Sequence, residues 1–127
     1  LLSAAGSLLG TPLLTLAGCA ACTQQQDTSP FVRTLNSGGD TVPGVSYTVI
    51  ETVHDEIVTP YRSAFLSGPQ VENITLQSQC PGDASDHLAI TYDTAAIQDT
   101  LNALGPDKRS FQPHCGLALP LIGTPAT

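Results

Sequence analysis

The run from Val45 to Pro60 constrains this chain more than any other stretch. Val45 to Glu51 is rich in β-branched and aromatic residues, the composition of a strand. Its apolar side chains (Val45, Tyr47 and Val49 against Ile50) fall on both faces, as in a parallel strand buried on both sides. The strand leads directly into Thr52-Val53-His54-Asp55-Glu56-Ile57-Val58-Thr59-Pro60, which puts Asp55 where a strand stops and a loop begins. Val71 to Gln79 reads as a second strand, with Ile74 and Leu76 on one face. Cys80-Pro81-Gly82 breaks it, and a polar loop then carries Asp86-His87-Leu88. A helix follows: Asp93 or Thr94 caps it, Ile97, Leu101 and Leu104 share a face, and Gly105-Pro106 stops it. The order strand, acid, loop, helix, strand, loop, histidine, helix is that of a doubly wound α/β sheet, where functional groups collect at the carboxyl edge of the strands.

The remaining segments are less periodic. Leu1 to Gly18 gives short apolar helical stretches interrupted by Gly10 and Pro12. It reads either as a secretory signal, with Leu16-Ala17-Gly18-Cys19 similar to a lipoprotein lipobox, or as an apolar cap or substrate-facing loop of a larger enzyme. A signal needs a basic start, yet the first base is Arg33, and the chain has no Met; the second reading is preferred, with the chain a processed or partial one. Ser29-Pro30 opens a short helix with Phe31 and Leu35 on one face, ended by Asn36-Ser37-Gly38-Gly39. Pro43-Gly44 marks a turn, and Tyr61 to Leu66 forms a short helix or turn closed by Gly68-Pro69. Asn73-Ile74-Thr75 is a glycosylation sequon, but it lies within the second strand. Residues 106–127 hold four prolines and one cysteine and read as an extended tail that needs an anchor.

Composition excludes several classes. At 127 residues the chain is at most one domain, and 11 acids against 4 bases argue against nucleic acid, which needs clustered Lys and Arg. No apolar run reaches the ~20 residues of a membrane span. Four cysteines point to an oxidising compartment and allow two disulfides in three connectivities. Cys19-Ala20-Ala21-Cys22 has the spacing of a redox or zinc motif, but no second ligand pair follows at usable spacing and Thr23 with three glutamines replaces the expected helix, so a structural disulfide is the simpler reading. Asp83, Asp86 and Asp93 are too loosely spaced for a calcium loop and read as solvated loop acids. His54 reads as a rim histidine, and His114 beside Cys115 is only a weak zinc signal. Neither a metal nor a cofactor is expected.

Asp55 and His87 are the residue types that serine hydrolysis requires. An imidazole takes the serine proton, and a buried carboxylate fixes its tautomer and stabilises the imidazolium. In α/β-hydrolases the triad runs in chain order serine, acid, histidine, and here the acid precedes the histidine. Taken with Tyr47-Thr48, Asp55-Glu56-Ile57-Val58-Thr59-Pro60-Tyr61 and Cys80-Pro81-Gly82-Asp83, these residues make the chain resemble secreted bacterial lipases of the α/β-hydrolase class 2 family, and also lipases of the yeast lipase B type. The resemblance runs from about Cys19 to the end of the second helix and covers the C-terminal half of that catalytic domain. It implies that Asp55 is the catalytic acid and His87 the catalytic base. Gln24-Gln25-Gln26 resembles a glutamine pair of the acyl pocket, with Gln25 the candidate. The resemblance also implies a Cys80–Cys115 disulfide, which would tie the tail across the last helix and brace the histidine loop; Cys19 and Cys22 then pair with each other, or one of them with a cysteine of the missing N-terminal half. The competing arrangement links Cys19 and Cys22 to the later cysteines.

One part of the family pattern is lacking. No Gly-x-Ser-x-Gly elbow occurs; Ser7 is flanked by Ala5 and Leu9 where the glycines belong. The expectation is therefore residues 1–127 as the C-terminal portion of a secreted α/β-hydrolase that cleaves lipid or other carboxylic esters, inactive without the segment bearing the serine. The alternative is a non-catalytic secreted or lipid-anchored domain whose apolar N-terminus binds lipid or a partner.

Overall fold

The computed structural model describes residues 18–106 and 110–123, so the readings of the apolar segment 1–17 lie outside the described residues. Helix α1 spans Ala20–Gln24 and α2 spans Pro30–Asn36. The Ser29 side chain caps α2 by accepting from the Val32 N–H at 3.0 Å, and Pro30 occupies the first turn, where its missing N–H costs nothing. Strand β1 (Tyr47–Glu51) pairs in parallel with β2 (Val71–Thr75), with Tyr47 opposite Val71 and Glu51 opposite Thr75. The connection between them contains a cis Thr59–Pro60 peptide and a 3₁₀ turn at Tyr61–Ala64.

Two elements differ from the sequence expectation. The second strand stops at Thr75, and Leu76–Gln79 forms a helical turn, α3. Ser78 Oγ donates to Thr75 O at 2.7 Å and Cys80 N to Leu76 O at 2.7 Å, so the polar residues after Leu76 close a turn instead of continuing the ladder. The last helix, α4 (Thr94–Leu104), has the expected boundaries, with the Asp93 carboxylate accepting from the N–H groups of Ala95 and Ala96. Its orientation is the surprise. Ile97, Leu101 and Leu104 are 45%, 64% and 81% exposed, while Ala95, Ala96 and Asp99 face inward. The small alanines pack against Leu76 and Cys80, with Ile50 and Ile90 at the margin of this core.

Both disulfides are formed within the chain, Cys19–Cys22 and Cys80–Cys115, which excludes the other connectivities. They fit a protein that matures in an oxidising compartment. The Cys80–Cys115 bond anchors the tail after α4, assisted by Gln98, whose side chain accepts from His114 N at 3.0 Å and donates to His114 O at 3.2 Å. Further on, Ala118 is buried, its carbonyl accepts from Ala84 N at 3.3 Å, and Leu119 and Gly123 exchange two 2.9 Å backbone bonds. Among the described residues no helix is long and apolar enough to cross a membrane.

Candidate active site

The end of β1 and the loop after α3 bring Asp55 and His87 together. The chain turns at Thr52, with Asp55 N donating to Thr52 O at 3.3 Å. Asp55 Oδ1 then accepts from the N–H groups of Ile57 at 2.8 Å and Val58 at 2.6 Å, which locks the carboxylate in an Asx turn. Its other oxygen, Oδ2, lies 2.8 Å from His87 Nδ1. The Asp55 side chain is only 2% exposed, against 35% for His87. A carboxylate has no proton to give, so Nδ1–H is the donor, and in the neutral ring the free lone pair sits on Nε2.

The histidine loop has anchors of its own. Asp86 Oδ1 accepts from Leu88 N at 3.1 Å and Ala89 N at 2.8 Å, opening the 3₁₀ turn Ala89–Tyr92. Asp86 Oδ2 accepts from Leu121 N at 2.9 Å, and the Tyr92 hydroxyl donates to Leu121 O, so the Leu119–Gly123 turn buttresses the loop from behind. Gly123 has φ +58°, and a Cβ there would lie 2.6 Å from the Tyr92 ring. His87 N also donates to Glu56 Oε2 at 3.4 Å.

Electrostatics separates the acids by role. Burial acts to raise the Asp55 pKa, but the hydrogen bonds from His87, Val58 and Ile57 outweigh it and hold the group below the ordinary carboxylate range. Glu51, at the end of β1, is pushed the other way, first by burial and then by the Asp55 charge. Of these two neighbouring carboxyls, Asp55 is the one built to stay ionised. Asp86 lies below its ordinary value, chiefly through the hydrogen bond from Ala89 N.

The other sequence candidates are placed elsewhere. Gln25 is the exposed C-cap of α1; the open groove of about 720 Å³ beside α1 and α2 is lined instead by Gln24 and Gln26, with Thr23, Pro30 and Phe31. Neither Asp55 nor His87 lines that groove. His54 is exposed at the rim of the acid loop. Asp83 and Asp93 both point into one buried cluster around Ser85, where Asp83 Oδ1 accepts from Ser85 N at 2.8 Å and Asp93 Oδ2 from Ser85 Oγ at 3.0 Å, and burial followed by the nearby Asp93 charge raises the Asp83 pKa. They are internal scaffold groups, and Asp86 is buried too, so none of the three is the solvated loop acid that spacing suggests. Thr52 and Gln77, which sequence reasoning passed over, belong to the same cluster; an isolated Thr and Gln give no periodic or motif signal.

The sequence matches no protein-family model, and no curated protein matches it. A buried, ionised carboxylate holding one imidazole nitrogen leaves the other as a proton acceptor at the surface, the arrangement of a general base. Among the described residues no serine hydroxyl bonds to His87.

Proposed function

We propose that this chain supplies the acid and the base of a Ser-Asp-His triad for carboxylic ester hydrolysis. It would be the C-terminal part of a secreted lipase or esterase of the α/β-hydrolase class 2 type that its motifs resemble. The observation that carries the reading is the 2.8 Å contact between buried Asp55 Oδ2 and His87 Nδ1. In the reaction, His87 Nε2 takes the proton of a serine hydroxyl as its oxygen attacks the ester carbonyl. Asp55 stabilises the imidazolium, which then gives the proton to the leaving alcohol. Water repeats the sequence on the acyl-serine, with His87 again accepting and returning a proton. The parallel pairing of β1 and β2 is compatible with the fold assignment: the Asp55 loop leaves β1 at the carboxyl edge of the sheet, and the His87 loop follows the helical turn α3 beyond the same end of β2.

The 127 residues contain no Gly-x-Ser-x-Gly elbow. The nucleophile and its oxyanion donors are accordingly assigned to a segment outside them. The test is labelling with a serine-directed phosphonate. Stoichiometric labelling is expected in the protein extended to include the serine-bearing segment, at a serine outside these residues, with none in this chain alone. Labelling of a serine within these residues, or none in the extended protein, would contradict the proposal.

A further inference from the structure

The hydrogen bonds of the buried hydroxyl of Thr52 reach both loops of the candidate site. Thr52 is fully buried at the end of β1. Its Oγ1 donates to Ser85 O at 2.7 Å, and accepts from Gln77 Nε2 at 2.9 Å and His54 N at 3.2 Å. A hydroxyl has one proton to donate and two lone pairs, so this one is saturated. One contact lies on the residue before Asp55 and another two residues before His87. The remaining partner, Gln77, also donates to Asp83 O at 3.1 Å and accepts from Val53 N at 3.0 Å. Ser85 is held in turn by Asp83 and Asp93, and the Asp93 carboxylate caps α4. The relative position of the two loops is thereby referred to the core rather than left to the surface.

We infer that Thr52 is a positioning residue of the acid–base pair, its hydroxyl setting the registry that puts Asp55 Oδ2 within reach of His87 Nδ1. Valine has the same shape without the hydroxyl. It would leave the buried Ser85 O unpaired and take the acceptor from His54 N and from one Gln77 donor, a condition that relaxes by moving the loops apart. Serine keeps the hydroxyl and loses only a methyl group.

The inference rests on the hydrolase reading for its catalytic consequence, but not for its structural one. The Asp55–His87 bond can be followed in the protein without substrate, through the hydrogen-bonded His87 Nδ1–H proton signal in NMR. Thr52→Val should remove or broaden that signal, and Thr52→Ser should restore it. In the protein carrying the serine, Thr52→Val should lower kcat about tenfold to a hundredfold, with KM changed less than about twofold, and Thr52→Ser should recover it. An unchanged Nδ1–H signal in folded Thr52→Val, or equal loss in Thr52→Ser, would overturn the inference. Gln77→Met serves if Thr52→Val does not fold; it removes the amide that donates to the hydroxyl together with that amide's bonds to Asp83 O and Val53 N, and should broaden the same signal, and a signal like the parent's would count against Thr52. The hydrolase reading fails separately, if Asp55→Asn leaves turnover intact.

Discussion

Removing the Cys80–Cys115 bond should cost far more stability than removing Cys19–Cys22, although each is a single disulfide. The two close loops of very different length, with sequence separations of 35 and 3. In the chain-entropy model the bond restricts the unfolded chain by an amount that grows with the logarithm of the loop. At 25 °C that gives about 3.8 kcal/mol for the long loop and about 1.6 kcal/mol for the short one, a gap of roughly 2 kcal/mol. Native packing widens the gap. Cys80 is 1% exposed in the core with Leu76, Ala95 and Ala96, whereas α1, which follows Cys19, buries none of its residues. The double variants Cys80→Ala/Cys115→Ala and Cys19→Ala/Cys22→Ala keep hydroxyls out of the core and isolate the crosslink. Urea unfolding, followed by far-UV circular dichroism, should show the former with a midpoint clearly below the latter. Equal losses in the two variants, at equal slopes, would refute the reasoning.

A further prediction concerns Asp99, which is buried on the inner face of α4, with Gln79 Nε2 donating to its Oδ1 at 3.3 Å and both Asp99 Oδ2 and Gln79 Oε1 unpaired. Burial first raises its pKa, Gln79 opposes this, and the Glu72 and Asp93 charges add to the rise. Its stabilising contribution is therefore present below the unfolded carboxyl pKa and lost as pH rises through the folded value; Asp99→Asn should flatten that decline in pH-dependent urea midpoints, and an unchanged profile would show that Asp99 titrates as it does unfolded. Asp55 has the opposite sign, its contribution being present above the unfolded pKa and lost as pH falls through the lowered folded value, so Asp55→Asn should flatten the acid limb in the same experiment. Gly123→Val should destabilise the protein by about 1–3 kcal/mol and speed amide exchange at Leu121, because its φ is +58° and the Tyr92 ring blocks a side chain there; exchange at the parent's rate would free the Leu119–Gly123 turn of any role in bracing the histidine loop.

The site was legible in the sequence where local chemistry dictated it. Asp55 stands just after a strand rich in β-branched residues, and His87 follows a Pro-Gly break; the two meet in the structure, although β2 stops at Thr75 and a helical turn separates it from the histidine loop. Ser29 and Asp93 are strong cap residues before helical patterns, and both cap. The misreadings came from long-range packing. Ile97, Leu101 and Leu104 make a stripe at helical spacing, yet the sheet is approached by Ala95 and Ala96, whose small side chains let α4 lie close to Leu76. Leu76 itself fits a strand pattern, but Gln77 turns off the ladder to bond Thr52 and Asp83. The inward role of Asp83 and Asp93 depends on Ser85, which no spacing rule singles out.

The most direct test of the central claim is the turnover of Asp55→Asn on a short-chain ester, in a protein that carries the proposed serine-bearing segment. An asparagine keeps the shape of the side chain but cannot hold the imidazole in its reactive tautomer or stabilise the imidazolium. With Asp55 Oδ2 at 2.8 Å from His87 Nδ1, kcat should fall by about 10⁴, while KM stays within a few-fold and the thermal transition remains cooperative. A folded variant that loses only a few-fold in kcat would make Asp55 a turn residue and contradict the assignment of this pair as acid and base.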